Sequence, residues 1–241
     1  MSSFVLKLIA AVTMFIDHAG LILFPAAEFM RIIGRLAFPL YAYCIAEGFR
    51  YTKDRFRYFM RVAVLGILCQ IVYTIVDGEI YLGILISFSI AIIILALIDA
   101  FRKANSGKKS PLASLIERFT KKNLSPRADR VISAILCVLA IGAAFVLCVT
   151  VEVDYGFFGI MLPVFTNLFT DKHRRLVMFS AALLALCIDL TDTFVLQYWS
   201  LLTVPLIALY NGKKGRFSMK YFFYIFYPAH LVLLYAIDMV I

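Results

Sequence analysis

Apolar residues run along this chain in long uninterrupted stretches separated by short polar clusters. The stretches read as helices near residues 4–24, 29–48, 56–76, 80–101, 131–151, 155–170, 175–195, 197–211 and 220–241. A hydrocarbon layer about 30 Å thick is crossed by about 20 apolar residues of helix, and most of these stretches are that long. No segment alternates polar and apolar positions as barrel strands do, and lipid-facing backbone satisfies its own hydrogen bonds only in helices or closed barrels. The pattern therefore predicts an all-α, polytopic transmembrane helical bundle of about nine spans. Its shortest member, 197–211, contains Pro205 and would extend only about 21 Å as an α-helix. In the polar loop at 102–130, Ser110-Pro111 reads as a helix start. Leu112, Leu115, Ile116 and Phe119 then recur on one face, as in a helix lying on the inner membrane surface.

Composition agrees: 63% of the 241 residues are hydrophobic, more than a soluble core of this size buries. No internal repeat, low-complexity tract or second domain interrupts the pattern, so residues 1–241 read as a single integral membrane domain with a cytoplasmic basic loop at about 102–130. The first stretch has no small-residue cleavage site and carries Asp17-His18, as expected of a retained anchor.

Charge sets an orientation. Of the 24 Lys and Arg residues, 22 lie in clusters at the start of the chain and after the second, fourth, sixth and eighth stretches, and only Arg31 and Arg35 do not. The intervening loops carry Glu28, Asp77, Glu79, Glu152 and Asp154 and no Lys or Arg. With nine spans every basic loop falls on one side, which the positive-inside rule makes cytoplasmic; the N-terminus is then inside and the C-terminus outside. If 197–211 did not cross, the 213–220 cluster would sit outside, so the charge bias argues that it does. The net charge of +9 is an inner rim attracted to anionic lipid, which leaves no case for a nucleic-acid surface. The five cysteines lie within spans without metal-ligand spacing and read as small hydrophobes; no metal is expected.

A charge at bilayer depth costs several kcal/mol, so the ionisable residues inside the spans need a reason. Asp17 and His18 lie about 9–10 Å below the outer end of the first span, and Arg31 and Arg35 within about the first 10 Å of the second. Arg31 and Arg35 share one helix face, and Thr13, Asp17 and Gly20 form a polar or small stripe that could meet it. An Asp17–Arg35 ion pair pinning a helical hairpin is one expectation. Neighbouring helical residues point about 100° apart, so Asp17 cannot orient His18, which needs a partner of its own. His230 follows Tyr227-Pro228 in the last span, and Asp189 and Asp192 lie near the outer end of the seventh. Asp154-Tyr155-Gly156, Gly159 and Pro163 open the short sixth span, where another helix or a ligand can approach closely. At the inner end, Glu47, Arg50 and Thr52 after the second span, and Lys213, Lys214 and Arg216 after the eighth, combine cations with glycines and hydrogen-bonding side chains. That chemistry suits a phosphate-bearing ligand, although ordinary anchoring explains any one lysine as well. The P-loop spacing is absent.

These residues resemble a known family. Asp17-His18, Arg31-Ile-Ile-Gly-Arg35-Leu-Ala-Phe-Pro39 running on to Glu47-Gly48 and Thr52, Asp154-Tyr155-Gly156-x-x-Gly159, Tyr210-Asn211-Gly212 and Tyr224-x-x-Tyr227-Pro228-x-His230-Leu231 are similar to TraX-family membrane proteins over residues 5–235. The 102–130 loop stands outside the resemblance. What it implies is a multi-pass acyltransferase of the bacterial inner membrane, of the kind named for acetylating conjugative pilin at its N-terminal amine. Cytosolic acetyl-CoA would be the co-substrate and an amine or hydroxyl of a peptide, glycan or lipid the acceptor. Acyl transfer needs a base and charge stabilisation for a tetrahedral oxyanion. On that reading His18 is the base, and Asp17 and Arg35 are the charged frame. His230 is a second histidine that either binds the thioester carbonyl or is itself the base. Arg31, Glu47, Arg50, Thr52, Tyr155, Lys213, Lys214 and Tyr227 are the binding residues. The rival class is a transporter for an anionic solute, with Arg31 and Arg35 holding the anion and Asp17 or His18 coupling protons.

A reporter fused after residue 241 is expected to behave as exported. Cytoplasmic behaviour would overturn the nine-span count, beginning with the span at 197–211.

Overall fold

The computed structural model describes residues 1–77, 81–189, 195–215 and 220–240; Glu79, Asp192 and Arg216 lie outside them. The chain forms two compact units, one of Met1–Tyr51 with Met161–Ile241 and one of Thr52–Ile160.

In the first unit, α1 (Ser3–Ile22) starts at Ser2, whose hydroxyl accepts from the Val5 N–H at 3.4 Å. The helix packs against α2 (Glu28–Gly34), α3 (Ala37–Tyr51) and α11 (Lys220–Asp238). The second apolar stretch, expected as one helix, breaks at Arg35-Leu36. Pro39 accounts for the break: it has no N–H to give the Arg35 carbonyl, four residues earlier, and its ring crowds that carbonyl. The turn tightens, with Arg35 N–H donating to both Arg31 and Ile32 carbonyls at 3.2 Å and Leu36 N–H to Ile33 at 3.2 Å. Close packing of α1 on α2 depends on two glycines. A Cβ on Gly20 would lie 2.7 Å from Met30 Cβ, and one on Gly34 would overlap the Asp17 carboxylate.

The unit continues from the later part of α8 (Gly156–Thr166) into α9 (Lys172–Asp189), then a 3-10 helix at Val195–Leu202 and α10 (Thr203–Ala208). The 197–211 stretch was expected as α-helix throughout. The 3-10 helix, eight residues that begin two before that stretch, rises about 2.0 Å per residue, about 16 Å in place of about 12 Å. It is held by polar groups that are fully buried: Thr203 Oγ1 donates to the Ser200 carbonyl at 2.7 Å, and Cys187 Sγ reaches the Gln197 carbonyl at 3.4 Å. Phe38, Leu40, Phe179, Leu183, Leu186, Ile207 and Leu234 fill the core.

In the second unit α5 (Ile84–Asn105) packs against both α4 (Arg55–Asp77) and α7 (Pro126–Thr150). A two-residue parallel pair absent from the sequence reading, β1 (Tyr81–Leu82) on β2 (Glu152–Val153), joins their ends in the register Tyr81↔Glu152. The amphipathic helix expected in the basic loop is α6 (Pro111–Thr120), capped by Ser110, whose hydroxyl accepts from Ala113 N–H at 2.9 Å and donates to Asp129 of α7 at 2.6 Å. Glu117, bonded by Lys109 and by the Leu124 N–H, has its carboxyl held below the usual carboxylate range by those donors.

Among the described residues, five helical stretches are long and apolar enough to cross a membrane: Ser3–Ile22, Glu28–Tyr51, Arg55–Ile75, Ile84–Asn105 and Pro126–Thr150. Shorter apolar helices occupy Gly156–Thr166, Leu196–Ala208 and Ile225–Asp238. α4 and α7 turn large apolar side chains outward, Ile75 at 78% exposure and Val149 at 71%. Faces of this kind are stable against lipid tails and not against water. The chain is an all-α integral membrane protein.

Gly34→Ala should destabilise the protein by about 1–3 kcal/mol by forcing α1 and α2 apart. Gly142→Ala in α7, where a Cβ meets nothing within 4 Å, should change stability by less than about 1 kcal/mol and toward the stable side. Thermal unfolding in detergent compares the two.

Candidate active site

The polar residues of α1, α2 and α11 form an ion cluster and a histidine pair, which share α1 through the neighbours Asp17 and His18. Asp17 sits between two guanidiniums: Arg31 Nη1 is 2.9 Å from Oδ2 and Arg35 Nη2 is 3.5 Å from Oδ1. Arg31 also donates to the Asp17 backbone carbonyl at 3.4 Å. The ion pair expected with Arg35 therefore exists, but Arg31, expected as a binding residue, is the nearer partner, and Asp17 keeps a cation when Arg35 is removed. Four-residue spacing on α2 and the close approach at Gly34 bring both arginines onto one carboxylate. Thr13, the third member of the stripe on α1, donates its hydroxyl to its own helix at Ile9, 2.9 Å away.

His18 finds its partner on α11: its Nδ1 lies 2.8 Å from Nε2 of His230, which is 3% exposed. His230 Nδ1 is in turn 2.8 Å from the Phe226 carbonyl. A carbonyl only accepts, so the neutral His230 ring carries its proton on Nδ1 and a lone pair on Nε2. His18 Nδ1 then supplies the proton between the rings, and the lone pair of the neutral dyad falls on His18 Nε2. Phe226 stacks on His230 at 5.0 Å and 11°, and Tyr227 meets it edge-on at 6.1 Å, so the aromatic run before Pro228 holds the imidazole plane.

Gln197, which the sequence reading passed over, joins the group from the 3-10 helix. It is 1% exposed, and its Oε1 accepts from Arg35 Nη1 at 3.5 Å. Its one sequence signal was an amide at the head of an otherwise apolar span.

Glu47 lies elsewhere in the unit. It is buried and paired with Arg175, whose guanidinium lies 5.5 Å over the Tyr43 ring and whose Nε donates to the Thr166 carbonyl at 3.1 Å. Arg175 had counted among the rim cations, but it points inward and ties α9 to α3, whereas its neighbours Lys172 and Arg174 are exposed. Glu47 is thus committed to this ion pair and is not open at the rim. Lys213 and Lys214 are exposed, and their loop is fixed on the chain start: Ser3 N–H donates to the Lys213 carbonyl at 2.8 Å and Asn211 N–H to Met1 at 2.9 Å. Arg50 is half-buried at the end of α3, beside the Tyr51 ring. Thr52 and Tyr155 belong to the second unit. Thr52 Oγ1 donates to Asp54 at 3.1 Å, and Tyr155 takes a left-handed φ of 60° at the turn into α8. No cluster of metal-ligating side chains occurs among the described residues.

Comparison with known proteins adds a family. The model of the TraX protein family matches residues 2–238. Across 265 aligned residues the chain is 23% identical to the probable fimbrial assembly protein FimC, serogroup H1, of Dichelobacter nodosus, covering 99% of this chain and 96% of the relative. The uncharacterized protein RP591 of Rickettsia prowazekii (strain Madrid E) is 40% identical over 70 residues, 29% of this chain and 26% of that protein. No solved structure matches the chain.

Asp17→Ala should cost about 3 kcal/mol or more, because it strands two guanidiniums inside the helix contact. Arg35→Ala should cost less, since Arg31 remains on the carboxylate. Unfolding midpoints in detergent give the order; equal losses would mean that Arg31 does not hold Asp17 by itself.

Proposed function

We propose acyl transfer as the function of this chain, which belongs to the TraX family: it moves an acetyl group from cytosolic acetyl-CoA to an amine or hydroxyl in or beyond the membrane. The observation that carries the reading is the His18–His230 contact at 2.8 Å beside the Asp17–Arg31–Arg35 cluster. In this scheme His18 Nε2 takes the acceptor's proton as its nitrogen or oxygen attacks the thioester carbon. His230 accepts from His18 Nδ1 and so fixes the ring and steadies the imidazolium that forms, as a third group orients the base in other acyl-transfer sites. Asp17 does not touch this chemistry. With its two arginines it anchors α1 on α2, and Arg35 lends positive potential to the oxyanion.

The exposed Lys213 and Lys214, with Arg50, are the proposed phosphate contacts for coenzyme A. The name of the Dichelobacter relative, a fimbrial assembly protein, supports a pilus-subunit amine as the first acceptor to try. Nine spans with a cytoplasmic N-terminus would give the thioester access from inside and the acceptor access from outside. One feature favours a second reading: two guanidiniums face one carboxylate in the cluster, and a transporter for an anionic solute would use that excess charge.

Purified protein given acetyl-CoA and an amine acceptor should release free thiol, whereas a transporter would not. His18→Ala should remain folded and lose about 10²–10⁴-fold in turnover, with His230→Ala losing less. The reverse order would assign the base to His230, and absence of thiol release in the wild type would remove the acyl-transfer reading.

A further inference from the structure

We propose that Gln197 is a catalytic residue, a hydrogen-bond donor whose amide Nε2 meets the carbonyl oxygen of the acyl thioester as that oxygen takes on negative charge. The inference rests on the acyl-transfer reading above and deepens it.

Gln197 is 1% exposed, and its Nε2 has no hydrogen-bond partner among the described residues. Buried amide donors are nearly always satisfied, and one left open beside a candidate site needs an explanation. Its orientation is determined. The guanidinium of Arg35 can only donate, so Oε1 is the atom that faces Nη1, and the NH2 group is turned away from it. The backbone is held as well, since Cys187 Sγ lies 3.4 Å from the Gln197 carbonyl and 3.5 Å from Ser200 Oγ. The side chain is thus gripped at its carbonyl and open only at its donor. The same guanidinium reaches Asp17 Oδ1 through Nη2 at 3.5 Å, so the amide is linked through Arg35 to the carboxylate that precedes His18 in the chain.

A neutral, preorganised donor suits a carbonyl that becomes an oxyanion, because it gains most when the charge appears and binds the uncharged ground state weakly. In the step itself the acceptor's lone pair forms the bond to the thioester carbon, the C=O pair moves onto oxygen, and the acceptor's proton passes to His18 Nε2. The oxygen pair then re-forms C=O as the C–S bond breaks, and the thiolate takes the proton from His18 to leave as free thiol. Gln197 Nε2 is the donor for that oxygen, and Arg35, bonded to the amide oxygen, lends positive potential from behind it.

Gln197→Met conserves volume and removes the donor. It is expected to unfold at the wild-type temperature or above, while kcat for acceptor-dependent thiol release from acetyl-CoA falls about 10²–10³-fold and KM for acetyl-CoA changes by less than about threefold. Gln197→Glu keeps an oxygen on Arg35, removes the donor and should show the same kcat loss if the methionine variant does not fold. Wild-type kcat in either variant, or a kcat loss only in step with a lowered unfolding temperature, overturns the proposal while leaving acyl transfer standing. A wild-type protein that releases no thiol with any acceptor overturns both.

Discussion

The first unit depends on one carboxylate held by two guanidiniums within the contact of α1 and α2. Asp17 accepts Arg31 at 2.9 Å and Arg35 at 3.5 Å, and this geometry is available only because Gly34 lets α2 approach the Asp17 side chain. Removing ions from water is costly, so such a cluster persists when it is nearly fully paired and its contacts are fixed by packing. The constraint therefore acts in both directions. The pairing holds α1 to α2, and the close packing brings the partners within reach of each other. Pro39 contributes by breaking the helix at Arg35-Leu36, which lets the chain turn from the ion-pair helix into α3.

His18 inherits its position from this arrangement. As the residue after Asp17, it is carried to a fixed place against α11 without any contact from the carboxylate, and His230 meets it there. The direction of the hydrogen bonds follows from the Phe226 carbonyl at the far end, since one obligatory acceptor fixes each tautomer in turn. A second buried pair, Glu47 with Arg175, repeats the logic between α3 and α9, with Tyr43 beneath the guanidinium. Both pairs fix one helix against another, and lipid tails offer no hydrophobic drive for one helix to prefer another.

The family match covers residues 2–238. Membership gives a class of protein; what the site does is a matter of which groups stand open at it. Here the buried Gln197 amide donor has no partner among the described residues, and the cations Lys213 and Lys214 stand at the loop pinned to residues 1–4.

Much of the architecture was legible in the chain because hydrophobic run length and helix signals are local properties. Most of the apolar stretches became helical, although the second breaks at Arg35-Leu36 and the one at 197–211 begins as a 3-10 helix; Ser110-Pro111 did open a helix, and the need of His18 for a partner other than Asp17 followed from the 100° between neighbours. The pairing of distant residues was not legible. Arg175 sat in a row of surface-like cations with nothing local to distinguish it from Lys172 or Arg174, and only packing turned it inward to Glu47. That Arg31 and not Arg35 is the closer partner of Asp17 depends on side-chain reach across a helix contact, which spacing leaves open. His18 and His230 are 212 residues apart, and Gln197 was one amide in an apolar run until a 3-10 helix placed it on Arg35. Sequence determined which segments are helical and which residues are too polar to be idle at that depth; the tertiary structure alone decided who meets whom, because a contact between helices is a property of two faces at once.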